Sequence, residues 1–141
     1  MRVTSNKPNT LRLHDNISNS SLELYFRTPT AKEQAAYTNG MHKRVRNKVV
    51  NCTGECRQKW GKAILEGWRS GDFGEEISGE PVPVNSTAGD SHFREDWKDW
   101  FHSHNADLIE RLAIHAFENT SDDDEDEDLP DGEKGDATDP N

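Results

Sequence analysis

The sequence predicts an α+β fold that is mostly α, with an N-terminal β-hairpin, one long helix, C-terminal helices folding back on it and a disordered acidic tail. Three observations predict it: strict apolar alternation before residue 27, a capping box at Thr30 and Glu33, and apolar residues three and four apart over most of 31–68. With 141 residues, 30% hydrophobic and 31% charged, and a mean hydropathy of −1.05, the chain has material for one modest core. The expected single domain is 1–118, followed by a disordered tail over 119–141.

Leu11–Leu13 and Leu22–Arg27 read as strands joined by the turn-forming stretch Asp15–Ser20, a hairpin over 11–27. Leu22, Leu24 and Phe26 alternate with Glu23, Tyr25 and Arg27, so one face is apolar and needs a helix against it. Pro29 favours an extended Thr28, Thr30 is a good N-cap, and Glu33 can reach back to the Thr30 amide. Beyond it Ala35, Tyr37, Met41, Val45, Val49, Cys52, Cys56, Trp60, Ile64 and Trp68 keep one apolar stripe on a helix over 31–68. Thr38-Asn39-Gly40 is the favoured break, and Gly54 and Gly61 each cost that helix about 1 kcal/mol relative to Ala. Residues 74–90, with Pro81, Pro83 and three glycines, have no sustained period and read as a linker. A helical region over 92–118 follows, with Phe93, Trp97, Trp100 and Phe101 on one face and Leu108, Ile109, Leu112, Ala113 and Phe117 on another.

The net charge of −10 resides in the tail. Residues 1–120 hold 16 basic and 16 acidic residues, and residues 121–141 hold 1 and 11, with seven consecutive acids from Asp122 to Asp128. Such a block repels itself and has no apolar area to offset chain entropy. Residues 41–69 hold eight basic residues against two acidic ones, and Lys43, Arg44, Arg46, Lys48, Arg57, Lys59 and Lys62 form the candidate basic surface. Such a surface attracts an acidic partner or nucleic acid, or it is the solvated face of a long helix; a third reading has the acidic tail screening it.

Cys52 and Cys56, at i and i+4, could join His102 and His104 in a zinc site, but both also fall on the apolar stripe, where cysteine acts as a small hydrophobe. No nucleophile–base–acid arrangement, phosphate loop or dinucleotide-binding turn is present, so the expectation is no enzyme and no cofactor. No apolar run approaches the roughly 20 residues of a membrane span, no apolar signal segment opens the chain, and two cysteines suit a reducing compartment. The expected setting is the cytoplasm, with no membrane partner. Trp97, Trp100 and Phe101 are the candidate partner-binding residues, either as core or as an aromatic helix laid in a partner's groove.

The run Leu22–Glu33, a strand ending in Arg27 that enters a helix through Pro29-Thr30 with Glu33 behind it, resembles the start of small tailed-phage and prophage proteins of the tail assembly chaperone type. That resemblance rests on Arg27, Pro29, Thr30 and Glu33, with Trp97–Phe117 similar in general character. It implies a non-enzymatic, mostly helical helper in the bacterial host cytoplasm that binds tape measure or tail tube proteins during assembly. The basic middle and the acidic tail depart from that pattern. The alternative is a small nucleic-acid-binding regulator whose basic helix is autoinhibited by the tail, although a pI of about 5.0 opposes attraction to DNA. A homo-oligomer stays open.

Overall fold

In the computed structural model, which describes residues 8–118, leucines on alternate positions define the first layer. Strand β1 (Asn9–Asp15) pairs antiparallel with β2 (Ser20–Phe26), Leu11 facing Leu24 and Leu13 facing Leu22. All four leucines and Phe26 are buried on one face, as a period of two requires. The expected hairpin is therefore present. The segment 119–141, read from sequence as a disordered tail, lies outside the described residues.

The capping box also forms. Thr30 Oγ1 accepts from the Glu33 amide at 3.1 Å, and the Thr30 amide donates to Glu33 Oε1 at 2.9 Å. Arg27 adds two bonds to the same carboxylate, each 2.7 Å, and this guanidinium, with the Thr30 amide, holds the Glu33 acid down at about 2.

The long helix over 31–68 does not form, and the fold is not mostly α. Its span divides into α1 (Ala31–Gly40), an antiparallel hairpin of β3 (His42–Val45) and β4 (Lys48–Asn51), α2 (Thr53–Ile64) and β5 (Leu65–Trp68). The stripe misled because Val45 and Val49, four apart, also suit a hairpin, and β-branched residues with a left-handed Arg46 (φ 58°) in the two-residue loop favour the latter. Tertiary pairing ends α2: β5 lies antiparallel on β2, with Leu24 opposite Trp68 and Tyr25 opposite Gly67, giving a three-stranded sheet β1-β2-β5. Gly67 sits at φ 145°, and a Cβ there would come within 2.7 Å of Ser86 Oγ.

Part of the expected linker is ordered as well. Strands β6 (Gly74–Ile77) and β7 (Glu80–Pro83) form a third sheet through Ser78-Gly79, both at positive φ. Pro81 and Pro83 are two apart, so both turn their missing N–H away from β6 and the pairing survives them. After them Asn85, 5% exposed, accepts from the Gly71 amide at 3.0 Å and donates to the Ser91 carbonyl at 2.7 Å. This buried amide thus ties two stretches of the loop together beside Val84, which is buried in the core.

Helices α3 (Trp97–His104) and α4 (Ala106–Ala113), the latter continued by a π-helical turn (Ile114–Glu118), lie within the expected helical region. They cover the sheet together with α2. Trp68 is fully buried between the layers, its ring stacked on Phe101 at 4.9 Å and edge-on to Phe73 and Trp97 at 5.6 Å each. Its indole N–H donates to the Val84 carbonyl at 2.9 Å. Among the described residues no helix is long and apolar enough to cross a membrane.

Candidate interaction site: a cationic hairpin

The β3–β4 hairpin sits between α1 and α2, and its base is closed by the Cys52 amide donating to the Met41 carbonyl at 2.8 Å. The adjoining helix ends are tied to the C-terminal end of the described chain. The Cys56 thiol, pushed up by burial, donates to the Tyr37 carbonyl at 3.3 Å. Tyr37 stacks on Phe117 at 4.2 Å, and its hydroxyl donates to the Glu118 carboxylate. Arg57 grips that carboxylate with two bonds of 2.8 Å, so Glu118 is held below the usual carboxylate range, by Arg57 first and Tyr37 second. Burial and the neighbouring carboxylate push the Tyr37 phenol up.

From this base the hairpin extends with every residue from His42 to Asn51 exposed. Cross-strand register places Lys43, Val45, Lys48 and Val50 on one face and His42, Arg44, Val49 and Asn51 on the other. Val45, Val49 and Val50 are 44%, 63% and 42% exposed. Each face therefore mixes cations or polar groups with valine, and neither is covered by another element among the described residues. Because the sheet has two strands among the described residues, the outer edges of β3 and β4 also carry backbone donors and acceptors unpaired by those residues.

Clustering of charge distinguishes this hairpin, with four cations within the six residues 43–48. Arg12, Arg27, Arg57, Arg69 and Arg94 all have acidic partners. Lys43, Arg44, Arg46 and Lys48 have none among the described residues. Residues 8–118 hold 14 basic and 16 acidic residues, and without those four the remainder has 10 against 16. A local positive field thus projects from a body that is otherwise net negative.

The sequence-derived basic surface consequently separates into two parts. Four of its seven members form the hairpin, whereas the three on α2 are engaged: Arg57 with Glu118, Lys62 Nζ with Asp99 at 2.6 Å, and Lys59 over the Trp60 ring at 5.2 Å. The aromatic candidates lie inward. Phe101 is fully buried, Trp100 is 6% exposed, and Trp97 is partly buried against Trp68. Trp100 keeps a buried indole N–H without a hydrogen-bond partner among the described residues. The free edges and exposed valines of the hairpin were missed by sequence reasoning; the usable signal was the β-branched Val45, Val49 and Val50 flanking the turn-forming Arg46-Asn47.

The zinc arrangement is not assembled. Cys56 bonds to the Tyr37 carbonyl, His102 pairs with Gln58 at 3.1 Å, and His104 Nδ1 lies 2.8 Å from the Trp100 carbonyl within its own helix. Among the described residues no group of three or more His, Cys, Asp or Glu is placed to hold a metal ion. Comparison with protein-family models, with curated proteins and with solved structures finds no match for the chain.

Proposed function

We propose that this protein is a non-enzymatic assembly factor of the phage tail-assembly type that works in the bacterial cytoplasm and docks a structural protein of the particle, a tape measure or tail tube component, on the β3–β4 hairpin. The observation that carries the reading is the set of four cations without counter-charges among the described residues, interleaved with three exposed valines on strands whose edges are unpaired among those residues. Free edges accept an added strand through main-chain hydrogen bonds, and alternate side chains then read its charge and apolar positions. The partner's complementary segment is acidic and extended. The strand–Pro29–Thr30–Glu33 entry to α1 supports the same reading through its resemblance to tail assembly chaperones, and here it is a formed capping box locked by Arg27.

Nucleic acid is the competing ligand for a basic β-ribbon. The negative body and a pI of about 5.0 weigh against it. The test is affinity capture from nuclease-treated phage-infected lysate, comparing the wild-type chain with the exposed-site variant K43E/R44E/R46E/K48E. Identification of a tail protein by mass spectrometry, retained after nuclease and lost from the variant, is the expected result. Recovery of nucleic acid alone, or of the same proteins by both chains, overturns the reading.

A further inference from the structure

We propose that, when no partner is bound, the hairpin is occupied in cis by the acid block Asp122–Asp128 of the same chain, which a docking partner displaces. This rests on the hairpin being the docking surface argued above, and it adds regulation to that site. Three observations carry it. Lys43, Arg44, Arg46 and Lys48 have no ion-pair partner among the described residues. The chain's largest concentration of opposite charge is a run of seven acids. The third is position: Glu118 is fastened to Tyr37 and Arg57, the helix ends that flank the hairpin.

The reach is sufficient. Arg57 lies five residues along α2 from Cys52 at the hairpin base, about 8 Å of helix. Asp122 is four residues past Glu118 and can reach about 13 Å, and Asp128 about 33 Å. Each hairpin strand is four residues, about 13 Å long. The block can thus lie along the full hairpin without Glu118 leaving its clamp. A tether this short gives an effective concentration on the order of millimolar, so even a contact of about 0.1 mM intrinsic strength keeps the hairpin about tenfold more occupied than free. The same block repels a polyanion such as nucleic acid, while an acidic segment that also pairs its backbone with the strand edges can compete.

The test uses the full chain with the block converted to amides, D122N, D123N, D124N, E125Q, D126N, E127Q and D128N, which leaves every tryptic site in place. Brief native trypsin treatment is followed by mass spectrometry, with the exposed Lys32 and Lys59 as internal references. At low salt, cleavage at Lys43–Lys48 should be about tenfold faster in the amide variant than in the wild type. The difference should vanish at ~1 M salt, where the screening length is ~3 Å, and a peptide of residues 121–129 added in excess should restore protection to the variant. Equal cleavage of the two chains at low salt overturns the inference, and protection that grows with protein concentration overturns it in favour of a second copy as occupant. Equal cleavage alongside hairpin-dependent capture of a tail protein leaves the proposed function standing without this regulation. Faster cleavage of the amide variant alongside capture indifferent to the hairpin does the reverse.

Discussion

Gly61 and Gly54 lie on the same helix, and the structure assigns opposite signs to the same substitution at the two. At Gly61→Ala the new Cβ falls 2.4 Å from the Ile109 carbonyl oxygen and 2.8 Å from Ile109 Cγ2, both belonging to α4. The oxygen is backbone and cannot rotate aside, so α2 and α4 must move apart by about 1 Å to regain van der Waals distance, loosening Ile64, Ile109 and Leu112, which are fully buried. Overpacking of this kind costs roughly 1–3 kcal/mol, and a backbone obstacle puts it at the upper end. The intrinsic helix gain of Ala over Gly returns about 1 kcal/mol, for a net loss of about 2 kcal/mol. Gly54 has nothing within 4 Å of its added Cβ, so Gly54→Ala keeps the gain, a few tenths to about 1 kcal/mol at a helix start. For a domain of this size 1 kcal/mol moves Tm by about 4 °C. Thermal denaturation followed by circular dichroism should therefore place Gly61→Ala about 8 °C below the wild type and Gly54→Ala slightly above it. A Gly61→Ala chain at or above the wild-type Tm would refute the close α2–α4 approach.

Glu33 offers a pH test. Its folded acid is lowered to about 2 from 4.5, chiefly by Arg27, so the stability it contributes is complete above the unfolded value and disappears as pH falls through about 2. Glu33→Gln keeps the capping geometry but not the charge; its Tm gap to the wild type should be constant above about pH 5 and close between about pH 4.5 and pH 2. A gap that persists unchanged to pH 2 would contradict the ion pair. Asn85→Ala removes the two side-chain bonds to Gly71 and Ser91 at a nearly buried position, and urea titration should show a loss of about 1–3 kcal/mol. No change would mean that the segment between β7 and α3 is held by something other than that amide.

What could be read along the chain was local. The β1–β2 hairpin needs only alternation and turn formers, and the α1 start needs only Thr30 and Glu33 three apart. The break at Thr38-Asn39-Gly40 was legible for the same reason, since Thr, Asn and Gly are weak helix formers whatever lies elsewhere in the fold. Val45 and Val49 defeated the reading because their spacing satisfies a helix and a two-residue-loop hairpin alike, and the β3–β4 hairpin that formed leaves both valines in solvent instead of on a core-facing stripe. Trp68 defeated it for a non-local reason: its place opposite Leu24 comes from pairing with a residue 44 positions earlier, and no pattern around residue 68 encodes that.

For the candidate site, sequence determined the residues and tertiary structure determined their state. Nothing local to the four hairpin cations or to the three on α2 tells which of them find a counter-charge. Only the fold brings Glu118, 61 residues from Arg57 along the chain, against that guanidinium, and leaves Lys43, Arg44, Arg46 and Lys48 without a counter-charge among the described residues. The aromatic weight of Trp97, Trp100 and Phe101 was likewise plain in the sequence, while their burial beneath Trp68 depended on α3 packing against β5. Composition, periodicity and capping act through neighbours within a few residues. Ion pairing, strand partnership and burial act through space, and for this protein those interactions decided which charged and apolar groups remain open to a partner.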